Sequence, residues 1–177
     1  MTNPSLAFIG IGANLPGLGY ATPRATCEAA IQALVLAGVK IEKQSRWYKS
    51  APVPASAQPW FINGIISIKL SIEASALIEI LQDVESKFGR TRTKKNAART
   101  LDLDLIAYAD TVSGWDKEAD DKLILPHPRM HERTFVLMPL YEIAPNWSHP
   151  VLMTPIEELI SKLDSKQQVW PDNDTPY

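Results

Sequence analysis

Arg99-Thr100-Leu101-Asp102-Leu103-Asp104-Leu105 alternates leucines with two aspartates directly behind a run of cations. Extended backbone sends successive side chains to opposite faces, so this stretch reads as a strand with a leucine face for a core and a carboxylate face. Asp102 and Asp104 then stand on the same face, two rises of roughly 3.3 Å apart, or about 6 to 7 Å between Cα atoms. Carboxylates at that spacing can share a hard cation or a pair of them. The alternation by itself describes an edge strand whose polar face is solvated more often than a metal site, since amphipathic strands are common.

Upstream, Lys87, Arg90, Arg92, Lys94, Lys95 and Arg99 fall within thirteen residues that contain no acid, six of the 18 Lys and Arg in the chain. With a net charge of -2 and a pI near 5.9, this density is local and is not a general nucleic-acid-binding composition. A charge run taken alone is usually a solvated loop. Beside a carboxylate strand it suggests a compact polyanion held next to a carboxylate-bound metal, the equipment of phosphoryl transfer.

Working outward, Leu6 to Ile11 is an apolar run ended by Gly12-Ala13-Asn14, a buried strand and a turn. A helix is expected from Thr22 or Pro23 to Leu36, stopped by Gly38, and Val39 to Ser50 reads as one extended strand. Residues 51–59 carry three prolines and no charge, which marks a stiff loop. Phe61 to Ile72 has strand character, and Leu77, Ile78, Leu81, Val84 and Phe88 recur at helical spacing before Gly89. The order strand, helix, strand, strand, helix, strand predicts a ferredoxin-like α+β core, an antiparallel sheet with both helices packed on one face. C-terminal helical additions follow: an apolar run at Phe135 to Ile143, then a short helix to about Leu163 begun by a Thr154–Glu157 capping box.

At 177 residues and 45% hydrophobic, the chain fits one domain, expected over residues 1–165 with a polar tail at 166–177. No 18-residue apolar run and no charged, then apolar N-terminal segment occurs, which argues against a membrane span or signal peptide. The single Cys27 forbids an internal disulfide, and a cytoplasmic location is expected. Neither a P-loop nor Gly-x-Gly-x-x-Gly is present, and His127 and His131 lack a clear third metal ligand.

Several stretches join into a resemblance. Ile9-Gly10-Ile11-Gly12-Ala13-Asn14-Leu15, Arg99 to Leu105, Leu125-Pro126-His127, Arg133, Phe135 and Pro139-Leu140-Tyr141-Glu142-Ile143-Ala144-Pro145 resemble the 6-hydroxymethyl-7,8-dihydropterin pyrophosphokinase family. The resemblance implies transfer of pyrophosphate from ATP to the hydroxymethyl oxygen of a reduced pterin, in folate biosynthesis. It also implies two Mg²⁺ ions on Asp102 and Asp104, with Arg90 and Arg99 as catalytic cations. Arg92, His127 and Arg133 match nucleotide-contacting positions, and Gln82, Glu85, Leu105, Lys122 and Ile124 match the adenosine site. Phe61 and Phe135 match an aromatic pair that sandwiches the pterin, Asn63 its edge reader, and Ser50, Ala51 and Val53 its backbone contacts. Ala98, Asn96 and Pro128 depart from the family's usual Pro, Trp and Tyr. The expected partners are ATP and the pterin, with no nucleic acid, no membrane and a monomeric chain. Two other readings remain at this point: a metal-dependent nucleotidyltransferase on another acceptor, and a ferredoxin-like nucleic-acid-binding module.

Overall fold

Period-two burial in the first strand divides the molecule into layers. Ala7, Ile9, Ile11 and Ala13 enter one core, while Phe8 enters another. The computed structural model describes residues 5–90, 97–115 and 123–173. Along the chain run β1 (Ser5–Ala13), α1 (Pro23–Leu36), β2 (Lys40–Gln44), β3 (Tyr48–Ser50), β4 (Phe61–Leu70) and α2 (Ala74–Lys87). There follow β5 (Asp102–Tyr108), α3 (Thr134–Ile143), β6 (Ser148–His149), β7 (Thr154–Pro155), α4 (Ile156–Ser161) and β8 (Val169–Pro171).

The main sheet has six strands, ordered β5-β1-β4-β3-β8 with β2 also paired to β4, and every pairing is antiparallel. On one face, Leu34 of α1 and Leu77, Leu81 and Val84 of α2 pack with Leu101, Leu103 and Leu105. On the other, Val136, Leu137 and Leu140 of α3 and Ile156 and Leu159 of α4 pack with Phe8, Ile65 and Ile106. Each fully buried Leu or Ile contributes about 1.5–3 kcal/mol, so both faces are needed to hold the sheet. The Thr22 hydroxyl caps α1 by accepting from the Ala25 N–H at 3.1 Å, and Gly38 closes it at φ 89°.

Three local expectations are corrected. The single strand expected over Val39 to Ser50 is two, broken at Ser45–Trp47, because Ser45 turns inward and accepts from the Ile65 N–H through its hydroxyl at 3.0 Å. Trp47 then lies on Gly64, where a Cβ would meet its ring at 2.9 Å, so the break depends on a glycine in β4. The Thr154 capping box does not form. The Thr154 hydroxyl donates to the Leu152 carbonyl at 2.8 Å, Thr154 pairs with His149, and α4 starts without a side-chain cap. Third, the polar tail expected from residue 166 contains β8, a strand of the main sheet. No helix among the described residues is long and apolar enough to cross a membrane.

Candidate active site

β5 is an edge strand, and its two faces have different fates. Leu101, Leu103 and Leu105 are 0%, 5% and 7% exposed in the core, while Asp102 and Asp104 line a cleft on the opposite face. The register sets Gly12 beside Asp102 and Gly10 beside Asp104, with Asn63 next to Gly12 on the far side and Tyr48 beyond it. A Cβ on Gly12 would come within 3.2 Å of the Asn63 Oδ1. Gly12 thus keeps the floor open between the aspartates and Asn63, two strands or roughly 10 Å apart.

Cations surround the carboxylates. Arg90 Nη2 pairs with Asp102 Oδ1 at 2.7 Å and Arg99 Nη1 with Asp102 Oδ2 at 2.6 Å. Arg90 is held from behind by Glu85, a buried carboxylate that also accepts from the Leu103 N–H at 2.7 Å. Arg99 is fixed through its backbone: its N–H donates to Asn14 Oδ1 at 2.8 Å, and its carbonyl accepts from the Asn14 and Leu15 N–H groups at 3.1 and 3.2 Å. The Asn14 amide nitrogen donates in turn to Gln58 Oε1 and the Pro59 carbonyl, both at 3.2 Å.

Arg129 and Arg133 complete the ring, giving four arginines around two aspartates in one cleft. Burial, then the Asp102 charge, pushes the Asp104 carboxyl up to about 6, while Arg133, Arg90 and Arg99 oppose the shift. Burial, then Arg129, lowers Arg133 from its ordinary value, and its guanidinium lies 5.5 Å from the Phe135 ring centroid. Burial, followed by Arg133 and Arg129, takes His127 down to about 4. Its Nδ1 accepts from the Arg129 N–H at 3.2 Å, so the neutral ring carries its proton on Nε2. The arrangement has a net positive charge that suits a polyanion, with a neutral imidazole donor at its edge.

Ser50, Ala51, Val53, Phe61, Asn63 and Phe135 line the same cleft beyond Gly12. The Asn63 amide nitrogen donates to Ser50 Oγ at 2.8 Å, which holds the amide against β3. On the other side, a second pocket holds Gln82, Glu85, Leu105 and Ile124, and it shares Arg90, Asp104 and His127 with the first. The two pockets therefore meet at the charged groups. Arg92 and Lys122 lie outside the described residues.

Some of what the sequence left out stands in or beside the cleft. Arg129 follows the Pro-His-Pro loop without any spacing signal, and Gly12 and Asn14, though part of a stretch that resembles the family, read as a turn after a strand with no role assigned to either. His131, paired with His127 in the sequence, does not line the cleft: it packs against His149 and Trp115, with ring centroids 5.6 and 6.1 Å away. Burial drives the Cys27 thiol up to about 12, which makes it packing rather than a nucleophile. Among the described residues no group of three or more His, Cys, Asp or Glu side chains converges on a metal position. A cation at Asp102 and Asp104 would therefore draw most of its ligands from water or a bound anion, as Mg²⁺ ordinarily does.

Residues 8–145 match the model of the 7,8-dihydro-6-hydroxymethylpterin-pyrophosphokinase (HPPK) family. The chain is 38% identical over 165 residues to a 2-amino-4-hydroxy-6-hydroxymethyldihydropteridine pyrophosphokinase of Synechocystis sp., an alignment spanning 93% of this chain and 79% of that one. It is 32% identical over 158 residues to the protein of the same name from Haemophilus influenzae, covering 89% of each. Among solved structures, wild-type Plasmodium falciparum HPPK-DHPS with pteroate superposes with a TM-score of 0.66 over 92% of this chain. Identity there is 13% and the match covers 43% of the longer chain, so the likeness concerns the fold of part of that protein.

Proposed function

The chain belongs to the HPPK family, and from that premise we propose that it transfers the pyrophosphoryl group of ATP to the hydroxymethyl oxygen of 6-hydroxymethyl-7,8-dihydropterin. The products are AMP and the pterin diphosphate used in folate biosynthesis. One observation carries the reading at the level of residues. A single cleft is lined by two aspartates and four arginines together with two phenylalanines and an asparagine, and Gly12, which has no side chain, stands in its lining between Asp102 and Asn63.

Asp102 and Asp104 are the residues that would hold Mg²⁺, two ions in this reading. The fit is chemical: Asp104 is a carboxyl whose charged form is disfavoured by burial and by Asp102, a conflict that a bound divalent cation relieves. When bound, Mg²⁺ supplies positive charge to the phosphate oxygens and lowers the repulsion met by an incoming alcohol.

The chain's own residues do the rest. Arg90 and Arg99, now paired to Asp102, are within reach of a polyphosphate and would share their charge with the transferring group. The His127 Nε2–H would add a donor where the two pockets meet and Arg133 one within the first cleft, and Arg92 belongs to the same role by sequence. Gln82, Glu85, Leu105 and Ile124, with Lys122 by sequence, would line the adenosine end. Phe61 and Phe135 would stack on both faces of the pterin while Asn63 reads its edge, with Ser50, Ala51 and Val53 alongside. Orienting the acceptor alcohol toward the phosphate is then most of the task.

We read the strand order β5-β1-β4 with β2 and β3 beside β4 as a ferredoxin-like core, and α3 and α4 as C-terminal additions to it. The catalytic unit is proposed as one domain, acting as a monomer in the cytoplasm, independent of nucleic acid and membrane. Titrating the pterin into the chain with a non-hydrolysable ATP analogue and Mg²⁺ tests the slot. Phe135→Ala and Asn63→Ala should each weaken binding about tenfold, or roughly 1.4 kcal/mol. Unchanged affinity in both would overturn the slot assignment.

A further inference from the structure

Behind α4 the chain crosses both walls of the slot. Gln167 reaches α3: its amide oxygen accepts from the Thr134 N–H at 3.0 Å, and its amide nitrogen donates to the Glu132 carbonyl at 2.8 Å. Thr134 stands between Arg133 and Phe135. The Gln168 carbonyl accepts from the Ala51 N–H at 3.1 Å, and Val169 pairs with Ser50. Trp170 stacks on Trp60, the residue before Phe61, with centroids 5.3 Å apart and planes at 17°. Beyond them, the buried Asp172 carboxylate takes Lys49 Nζ at 2.9 Å and Arg24 Nη1 at 3.3 Å, and its N–H donates to the Trp47 carbonyl at 2.8 Å.

Gln167 through Trp170 therefore tie, residue by residue, to the flank of Phe135, to Ala51, to Ser50 and to the flank of Phe61. Neither Gln167 nor Trp170 is among the residues that line the cleft. We propose that the segment Gln167–Trp170 is a positioning strap that sets the separation of the Phe61 and Phe135 walls and thereby the affinity for a planar heterocycle. The inference rests on the pyrophosphokinase reading of that slot. Contact on both faces of a flat ring is sensitive to width, since a gap of 0.5–1 Å forfeits a quarter to a half of the dispersion well. The two ties differ in kind, a pair of hydrogen bonds on one wall and an exposed aromatic stack on the other, so they can be cut separately.

The test uses the full chain with Gln167→Ala, Trp170→Ala and Trp170→Phe, measuring the KM for each substrate, the melting temperature, and amide exchange at Ala51 and Thr134. The strap predicts a pterin KM raised about tenfold in both alanine variants, an ATP KM within about twofold of wild type, and recovery in Trp170→Phe. Exchange at Thr134 should rise in Gln167→Ala. An unchanged pterin KM would overturn the proposal, as would equal rises for both substrates accompanied by a lower melting temperature. If the unsubstituted chain did not turn over the pterin, the pyrophosphokinase reading would fall. Amide exchange would still decide whether the strap orders the two walls.

Discussion

Glu85→Ala separates a structural carboxylate from a nucleotide contact. Glu85 is 3% exposed, accepts the Leu103 N–H of β5 at 2.7 Å, and pairs with Arg90. Removing it leaves the Leu103 amide buried without its acceptor, about 1–3 kcal/mol. Arg90 loses one partner but keeps Asp102 at 2.7 Å, so the cost stays at the lower edge of the 3–5 kcal/mol typical of breaking a buried pair. The expected loss is about 3 kcal/mol, a fall in melting temperature of roughly 6–12 °C at this chain length. Glu85→Gln retains an oxygen for Leu103 and should lose only about 1 kcal/mol. Urea unfolding followed by the fluorescence of the five tryptophans, without nucleotide, measures both. Stability of Glu85→Ala within about 0.5 kcal/mol of wild type would show that Glu85 does not hold β5 and Arg90, as would equal losses in the two variants.

Asp102→Asn and Asp104→Asn should each cut turnover by about 10³-fold or more while the far-ultraviolet circular dichroism stays unchanged, and Mg²⁺ titration calorimetry should lose its signal. Near-normal turnover in either variant would remove the metal assignment. Gly12→Val drives branched carbon into the space before Asn63 Oδ1, already 3.2 Å from a bare Cβ, and should raise the pterin KM about tenfold or more. Steady-state kinetics that match wild type would disprove Gly12 as the open floor. His149 is held at about 4 by burial, then by His131, and its Nδ1 accepts from the Val151 and Leu152 N–H groups at 3.3 and 3.2 Å. Its folded value lies below the ordinary 6.5, so its contribution is full above pH 6.5 and is lost as pH falls toward 4. Melts of wild type and His149→Asn should therefore diverge by about 2–3 kcal/mol across that range; parallel pH profiles would contradict it.

Legibility followed the range of the forces involved. The alternation in Arg99 to Leu105 and the periodic leucines of α2 are local patterns, and each carried its element and its buried face into the fold. The break at Ser45–Trp47 was not legible, because it depends on Trp47 meeting a glycine in a different strand. The Thr154 capping box failed for a similar reason: pairing with His149 and the bond to Leu152 outcompeted a local cap. Within the cleft, Asp102, Asp104, Arg90 and Arg99 announce themselves by charge at short spacing. Asn14 and Gln167 do not, since each works through hydrogen bonds to segments more than thirty residues away. The polar composition of residues 166–173 hid β8, whose partner strand lies more than a hundred residues earlier.

Transfer of two phosphates to a pterin alcohol leaves products that can be counted. Incubating the chain with ATP and Mg²⁺, with and without 6-hydroxymethyl-7,8-dihydropterin, and following phosphorus resonances alongside product mass reads the bond that breaks. Pyrophosphoryl transfer yields AMP and pterin diphosphate in equal amounts, both dependent on the pterin. ADP with a pterin monophosphate, or AMP released without pterin, would contradict it.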